Sequence, residues 1–406
     1  MQSQVTHETR LECTRHFFAR RGNPQNRFRV IHVAGTAGKG STASLIAHML
    51  HAQGYSAGLI TSPFVTTTLE DVWINGKLCD PNIFIRVAND ILDDVEKMND
   101  TEIPSYSETL YAIGVECCAQ AGVEWLVTEV GCGGKFDYTN IFSQPTTCVL
   151  TPIGLDHMNI LGNTVPEIAA HKAGIIHTGC TVFSAQQSED VRAVFDHEAA
   201  LYGLTVHYIA PSQENNSDMP GAHQSHNSAL ACAVVESLGV SLQAQQLGMQ
   251  RAFLPARCEV MQRNPLVIID GAHSVIKMRA LAEYVSTLTY NRLFVIYSAK
   301  YSKDPLENLT PLLSKISTLW CTEFHLPGFS SHSTEEMKYA IAQRASSLEI
   351  IEEKNPLAAL HSALARANAN DCILVTGSLY MAGIVREHYY PEKTIVLQQS
   401  LKPAVG

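Results

Sequence analysis

Apolar positions along this chain follow two alternating rhythms. Phe28, Val30, Ile31 and Val33 form a short aromatic and β-branched run that predicts a strand, and Leu45, Ile46, Met49 and Leu50 then recur at helical spacing. The alternation continues. Residues 56–61, 123–130, 146–153, 181–185 and 205–209 predict strands, while 83–98, 107–121, 165–176 and 189–202 predict helices. Strands alternating with helices build a parallel α/β sheet, whose ligands gather at the carboxyl ends of the strands. The polar stretch 211–226, with Pro, Asn, Ser and Gly, predicts a loop ahead of helices over 228–238 and 242–252. Beyond Pro255 the pattern restarts, with strands expected over 266–270, 292–297, 318–322, 348–351 and 372–376. The expected fold is α/β in two domains. Residues 1–254 would form a larger domain around a parallel sheet, and 255–406 a smaller Rossmann-like α/β domain.

Composition narrows the class of protein. Net charge is -10 over 406 residues and the basic residues form no run, so no electrostatic footprint for nucleic acid or anionic membrane is present. The first thirty residues are polar and charged, and no later apolar stretch is long enough to span a bilayer, which predicts a cytoplasmic protein. Eleven cysteines are scattered without a C-x-x-C pair, so they read as small buried thiols and not as a zinc site or a disulfide frame.

The strand-to-helix junction after Val33 carries the clearest chemistry. Gly35-Thr36-Ala37-Gly38-Lys39-Gly40-Ser41-Thr42 is a glycine-rich loop whose backbone can approach a polyphosphate, with Lys39 as a cation and Ser41 or Thr42 as a magnesium ligand. The usual phosphate-loop pattern has four residues between its first glycine and the Gly-Lys pair. Here only Thr36 and Ala37 intervene, which disfavours a generic GTPase or kinase. Three further clusters sit at predicted strand ends. Glu129 precedes Gly131, Gly133 and Gly134, and reads as an oxygen ligand for magnesium or as a solvated acid. Asp156-His157 offers a ligand nitrogen with a carboxylate that could hold its tautomer. Arg257 and Asp270-Gly271-Ala272-His273 open the second half, Arg257 suited to a γ-phosphate and Asp270 to ribose hydroxyls. Lys172 lies near a helix C-terminus, where a cation is favourable. A free ammonium about 5 Å from a divalent ion would be repelled by several kcal/mol at an effective dielectric near 20, so an unmodified Lys172 does not belong beside magnesium.

Taken in order, these motifs resemble the Mur ligase superfamily and, within it, the folylpolyglutamate synthase and dihydrofolate synthase branch. Thr61-Ser62-Pro63, Ile74-Asn75-Gly76, Asp137 with Thr139-Asn140, Leu161-Gly162-Asn163-Thr164, Pro255-Ala256-Arg257 and Thr376-Gly377-Ser378-Leu379-Tyr380 extend the match almost end to end. The resemblance implies an ATP-dependent ligase that joins a carboxylic acid to an amino acid, L-glutamate, through an acyl phosphate, with two magnesium ions. It implies that Gly35 to Thr42 hold phosphates and that Ser41, Ser62, Glu129 and His157 serve the metals. It further implies that Asn227 lies near the adenine, and that Arg257, Asp270 and His273 close over ATP. Lys172 matches a lysine that is carbamylated in this family, which would remove the repulsion. Lys39, His157, Lys172 and Arg257 are the implied catalytic set. A monomer or weak homodimer is expected.

On the substrate side the chain departs from the family pattern. Phe64 stands where His is common, Asp71 follows Glu70 where Arg is common, and Ser107 replaces an aromatic before Glu108. Lys135 replaces Arg ahead of Asp137, and Ser274 replaces Asn after His273. Phe64, Ser107, Lys135, Asp137 and Ser274 are therefore the candidate substrate residues. Two alternatives follow: the same ligase chemistry on a non-folate acid and another amino acid, or a nucleotide-binding protein without turnover.

Overall fold

Strand β1 (Arg29–Ala34) lies inside an eight-stranded sheet and buries five of its six residues, as a Val- and Ile-rich strand covered on both faces must. The structure is a computed structural model that describes residues 7–99, 102–212, 217–326 and 329–403. The first sheet adds β2 (Ala57–Ile60), β3 (Val72–Ile74), β4 (Lys77–Leu78), β5 (Trp125–Glu129), β6 (Thr147–Leu150), β7 (Thr181–Ala185) and β8 (Val206–Ile209). Their order is β4-β3-β2-β5-β1-β6-β7-β8, parallel except where β3 meets β2 and β4. Because the chain leaves β1 toward β2 on one side and β5 toward β6 on the other, a crevice opens at the carboxyl end of β1.

The second sheet contains β9 (Glu259–Arg263), β10 (Leu266–Ile269), β11 (Leu293–Tyr297), β12 (Thr318–Cys321), β15 (Glu349–Glu352) and β16 (Cys372–Thr376), in the order β15-β12-β11-β16-β10-β9. Only β9 runs antiparallel. A separate ladder joins β13 (His325–Leu326) to β14 (Phe329–Ser330). Among the described residues no helix is long and apolar enough to cross a membrane.

Several elements differ from the sequence expectation for identifiable reasons. Helix His7–Arg20 is polar on most of its surface, yet Leu11, Phe17 and Phe18 are buried, and Arg10 pairs with Glu108 at 2.6 Å. Helix Gln224–Ser237 starts four residues before the expected Ser228, because its first turn is polar but buried at Gln224, Ser225 and Asn227. The helix expected over 165–176 stops at Ala173, and Ile175 and Ile176 instead enter the core. Strands β3, β4 and β9 are too short or too polar to stand out by periodicity alone.

Ionic contacts centred on Asp156 and on Arg386 tie the halves together. Lys303 Nζ, beyond β11, donates to Asp156 at 2.6 Å. Helix Leu379–Tyr389 carries the fully buried Arg386, which reaches back to Glu70 at 2.7 Å and to Glu259 at 2.9 Å. The chain then returns to the first half, where Tyr390, Ile395 and Leu401 join its core and Leu78 N–H donates to the Gln399 carbonyl at 2.9 Å.

Candidate active site

The phosphate loop is pinned from behind before its helix begins. Thr36 and Ala37 N–H groups donate to the Pro152 carbonyl at 3.0 and 3.3 Å, and the Thr36 hydroxyl donates to the Gly154 carbonyl at 3.0 Å. Helix Lys39–Ala52 then starts on Gly38, a left-handed N-cap at φ 85, and its residues from Gly40 to Leu50 are buried. A Cβ on Gly38 would collide with the Asn227 amide oxygen, and one on Gly40 would stand 2.9 Å from a Glu129 carboxylate oxygen. The Thr42 hydroxyl is buried with no partner among the described residues. These are the marks of a cradle shaped for a polyphosphate at a helix N-terminus. Gly38→Ala should therefore weaken ADP binding at least about tenfold, combining αL strain of ~1–2 kcal/mol with displacement of Asn227. Calorimetric titration with ADP measures this.

A cavity of about 220 Å³ opens over the loop and is walled by both halves. Lys39, Glu129, Asn227, Arg257, Asp270 and His273 all line it, as do Thr36, Ala37, Gly38, Gly40 and Ser41. Lys39 Nζ lies 3.6 Å from Glu129, so an ammonium neutralises that carboxylate here. A smaller cavity, lined by Ser62, Phe64 and Asp71, shares Glu129 and Arg257 with the first. Among the described residues no three His, Cys, Asp or Glu side chains converge on one point. A divalent ion would thus take part of its shell from nucleotide phosphates, which suits magnesium.

Lys172 is 4 % exposed, and its Nζ donates to the Gly35 carbonyl at 2.8 Å. Burial first, and the Lys39 charge second, lower it to about 7. Desolvation lowers His157 to about 4, so its ring is neutral at pH 7 and can offer a lone pair. Asp156 does not orient that ring, because the nearest approach is 4.0 Å. It spends its charge on Lys303 at 2.6 Å and Lys277 at 3.6 Å, which hold its carboxyl below the ordinary range against burial. The sequence expectation of a tautomer-holding Asp156 is thereby corrected to a domain-bridging role.

Other predicted residues lie off the cavities. Asp137 accepts from the Gly131, Cys132 and Thr139 N–H groups and the Thr139 hydroxyl, so it shapes the turn after β5. Exposed Lys135 has its Nζ 5.4 Å from the Phe136 ring centre. Ser107 is exposed on the first turn of helix Tyr106–Gln120, beside Tyr106 at 66 % exposure. Ser274 is the buried N-cap of helix Val275–Ser286. Asp270, by contrast, lines the large cavity, but it accepts from the Cys258 and Ala272 N–H groups at 2.8 Å, which leaves it little freedom to turn toward a ribose.

Sequence reasoning missed Lys277 and Gln224. Lys277 lines the large cavity and donates to His273 Nε2 at 2.9 Å, while His273 Nδ1 donates to the Gly271 carbonyl. Gln224 Nε2 donates to the Ser41 hydroxyl at 3.4 Å. The spacing of His273 and Lys277, one helical turn apart, was the available signal for the former.

A phosphate loop facing a second α/β domain across a cleft, with carboxylate and cationic side chains from both, defines an ATP-dependent ligase of the Mur type. Residues 256–379 match the Mur ligase glutamate ligase domain. The chain is 31% identical to the dihydrofolate synthase/folylpolyglutamate synthase of Bacillus subtilis (strain 168), over 91% of this chain and 92% of that one. It is 32% identical to the folylpolyglutamate synthase of Lacticaseibacillus casei, over 90% and 91%. Mycobacterium tuberculosis folylpolyglutamate synthase, solved with ADP and AMPPCP, superposes with a TM-score of 0.86 at 26% identity, covering 93% of this chain and 95% of that one. The protein belongs to the folylpolyglutamate synthase/dihydrofolate synthase family. It is an ATP-dependent acid–amino acid ligase, which sets aside the reading as a nucleotide binder without turnover.

Proposed function

We propose that this ligase phosphorylates the carboxylate of a pteroate or folate with ATP and couples the resulting acyl phosphate to L-glutamate. The observation that carries this reading is the joining of the two cavities through Glu129 and Arg257, which puts the phosphate loop beside a second polar pocket where a reacting group can meet the transferring phosphoryl. In this reading the Gly38–Thr42 backbone and Lys39 hold the β- and γ-phosphates, and Arg257 balances charge on the transferring phosphoryl group from the opposite domain. Ser41, Ser62, Glu129 and His157 would hold two magnesium ions, which supply Lewis-acid neutralisation of the phosphate oxygens when bound. Exposed Tyr106 offers an aromatic face next to Ser107, one residue from where the family carries it. Lys172, buried and lowered to about 7, is suited to carbamylation, since carbon dioxide is attacked only by a free-base amine. The enzyme acts as a monomer or weak dimer.

Phosphate release measured with dihydropteroate or tetrahydrofolate is expected to require both the acid and L-glutamate. No release with either acid would overturn the folate assignment, and a mass gain with other acid–amine pairs would then identify the true substrates.

A further inference from the structure

Asp71 is the unpaired carboxylate of the small cavity among the described residues. It is 8 % exposed, its Oδ1 has no hydrogen-bond partner among the described residues, and no ion pair there reaches it. Of the other charges lining the small cavity, Glu70 pairs with Arg386 at 2.7 Å and Glu129 with Lys39 at 3.6 Å, whereas Arg257 has no ion pair among the described residues and its Nη1 donates to the neutral Ala256 carbonyl at 3.0 Å. A buried carboxylate left unpaired is costly, and such a group calls for a proton or a cation. Burial, followed by the Glu70 and Glu129 charges, accordingly pushes its carboxyl well above the usual range.

The cavity that Asp71 lines is small, about 20 Å³, which admits one water-sized group and not a whole amino acid. Glu129 and Arg257 line this cavity and the nucleotide cavity alike, so a group seated here stands next to the phosphoryl-transfer region. Of the organic reactants in the proposed ligation, phosphates and carboxylates are anions. The positive group is the α-ammonium of the incoming amino acid, and it has the size of a water molecule.

We propose that Asp71 seats the α-ammonium of the incoming amino acid and takes one of its protons, so that the free amine attacks the acyl carbon while the acyl–phosphate bond breaks and the departing phosphate carries off that electron pair and the second amine proton. The inference rests on the ligase reading above and adds the residue that recognises the amine.

The test uses Asp71→Asn in the full-length enzyme. Because Asp71 has no side-chain partner to lose among the described residues, the variant should unfold no earlier than wild type. The KM for L-glutamate should rise at least about tenfold, as for loss of one charge-assisted contact. Acyl-phosphate formation, trapped by neutral hydroxylamine with no amino acid present, should stay within about twofold of wild type. A direct arm needs no turnover: with AMPPCP bound, wild type should bind L-glutamate in preference to glutarate, which lacks the amine, and Asp71→Asn should lose that preference. A fall in acyl-phosphate trapping with a raised magnesium requirement and an unchanged KM for L-glutamate would overturn the proposal in favour of a metal role. Equal binding of glutamate and glutarate by wild type would overturn it as well. Absence of hydroxamate from wild type with every folate or pteroate would instead count against the acid assignment, and the direct binding arm would still decide the role of Asp71.

Discussion

Lys172→Ala is expected to lower kcat by a factor on the order of 10²–10³ or more, the scale for removing one preorganised electrostatic group from a dry site. Acyl-phosphate trapping should fall with it, and bicarbonate should restore part of the rate to this small side chain. The reason lies in where the lysine sits. It ends helix Val165–Ala173, with Nζ held 2.8 Å from the Gly35 carbonyl at the entrance to the phosphate loop. Lowered to about 7, roughly half of its amine is free base at pH 7, where an ordinary lysine has almost none. Stimulation of wild type by bicarbonate should therefore weaken as pH falls below 7. The stability sign runs the same way. The folded protein binds fewer protons than the unfolded chain between about 7 and 10.5, so Lys172 costs stability below 7 and the cost is relieved as pH rises across that window. A wild-type rate in Lys172→Ala, or no response to bicarbonate, would remove the carbamate from the mechanism.

Arg386→Leu should produce the largest loss of stability, about 3–5 kcal/mol in urea unfolding, the range for breaking a buried ion pair from one side. Its guanidinium is fully buried and satisfies Glu259 through Nε, Glu70 and Thr66 through Nη1, and the Leu401 carbonyl through Nη2 at 2.6 Å. Removing it strands two carboxylates in the interface. Adding Glu70→Gln and Glu259→Gln should recover part of the loss, because the remaining cost is then only of unmade hydrogen bonds. A change below about 1 kcal/mol in Arg386→Leu would show that the interface is held by apolar packing alone. The pair also reaches the substrate side, since Glu70 Oε2 accepts from the Val65 and Thr66 N–H groups at 2.9 and 2.8 Å. Loosening it should raise the KM for the acid as well.

The parts legible in the sequence were those written over short stretches. Strand β7 and the strand β16 fall on their expected residues, because continuous Val, Ile and Phe runs have one way to be buried between layers of helix. The phosphate loop was legible for a similar reason: backbone approach, helix start and cation all lie within Gly35 to Thr42. Helix His7–Arg20 was not, because its stability comes from Leu11, Phe17 and Phe18 meeting a distant surface and not from its own periodicity.

By itself the sequence determined the alternation of elements and the restart of the pattern beyond Pro255, since each depends on neighbours within a turn or a strand. Only the tertiary structure decided how the charges are spent. Asp156, adjacent to His157 in the chain, turns to Lys303 and Lys277 across the domain boundary. Arg386 is spent on Glu70, 316 positions away, and the Oδ1 of the Asp beside that Glu is left without a partner among the described residues. Coulomb energy and desolvation depend on distance and burial in three dimensions, and neither is carried by the order of residues along the chain.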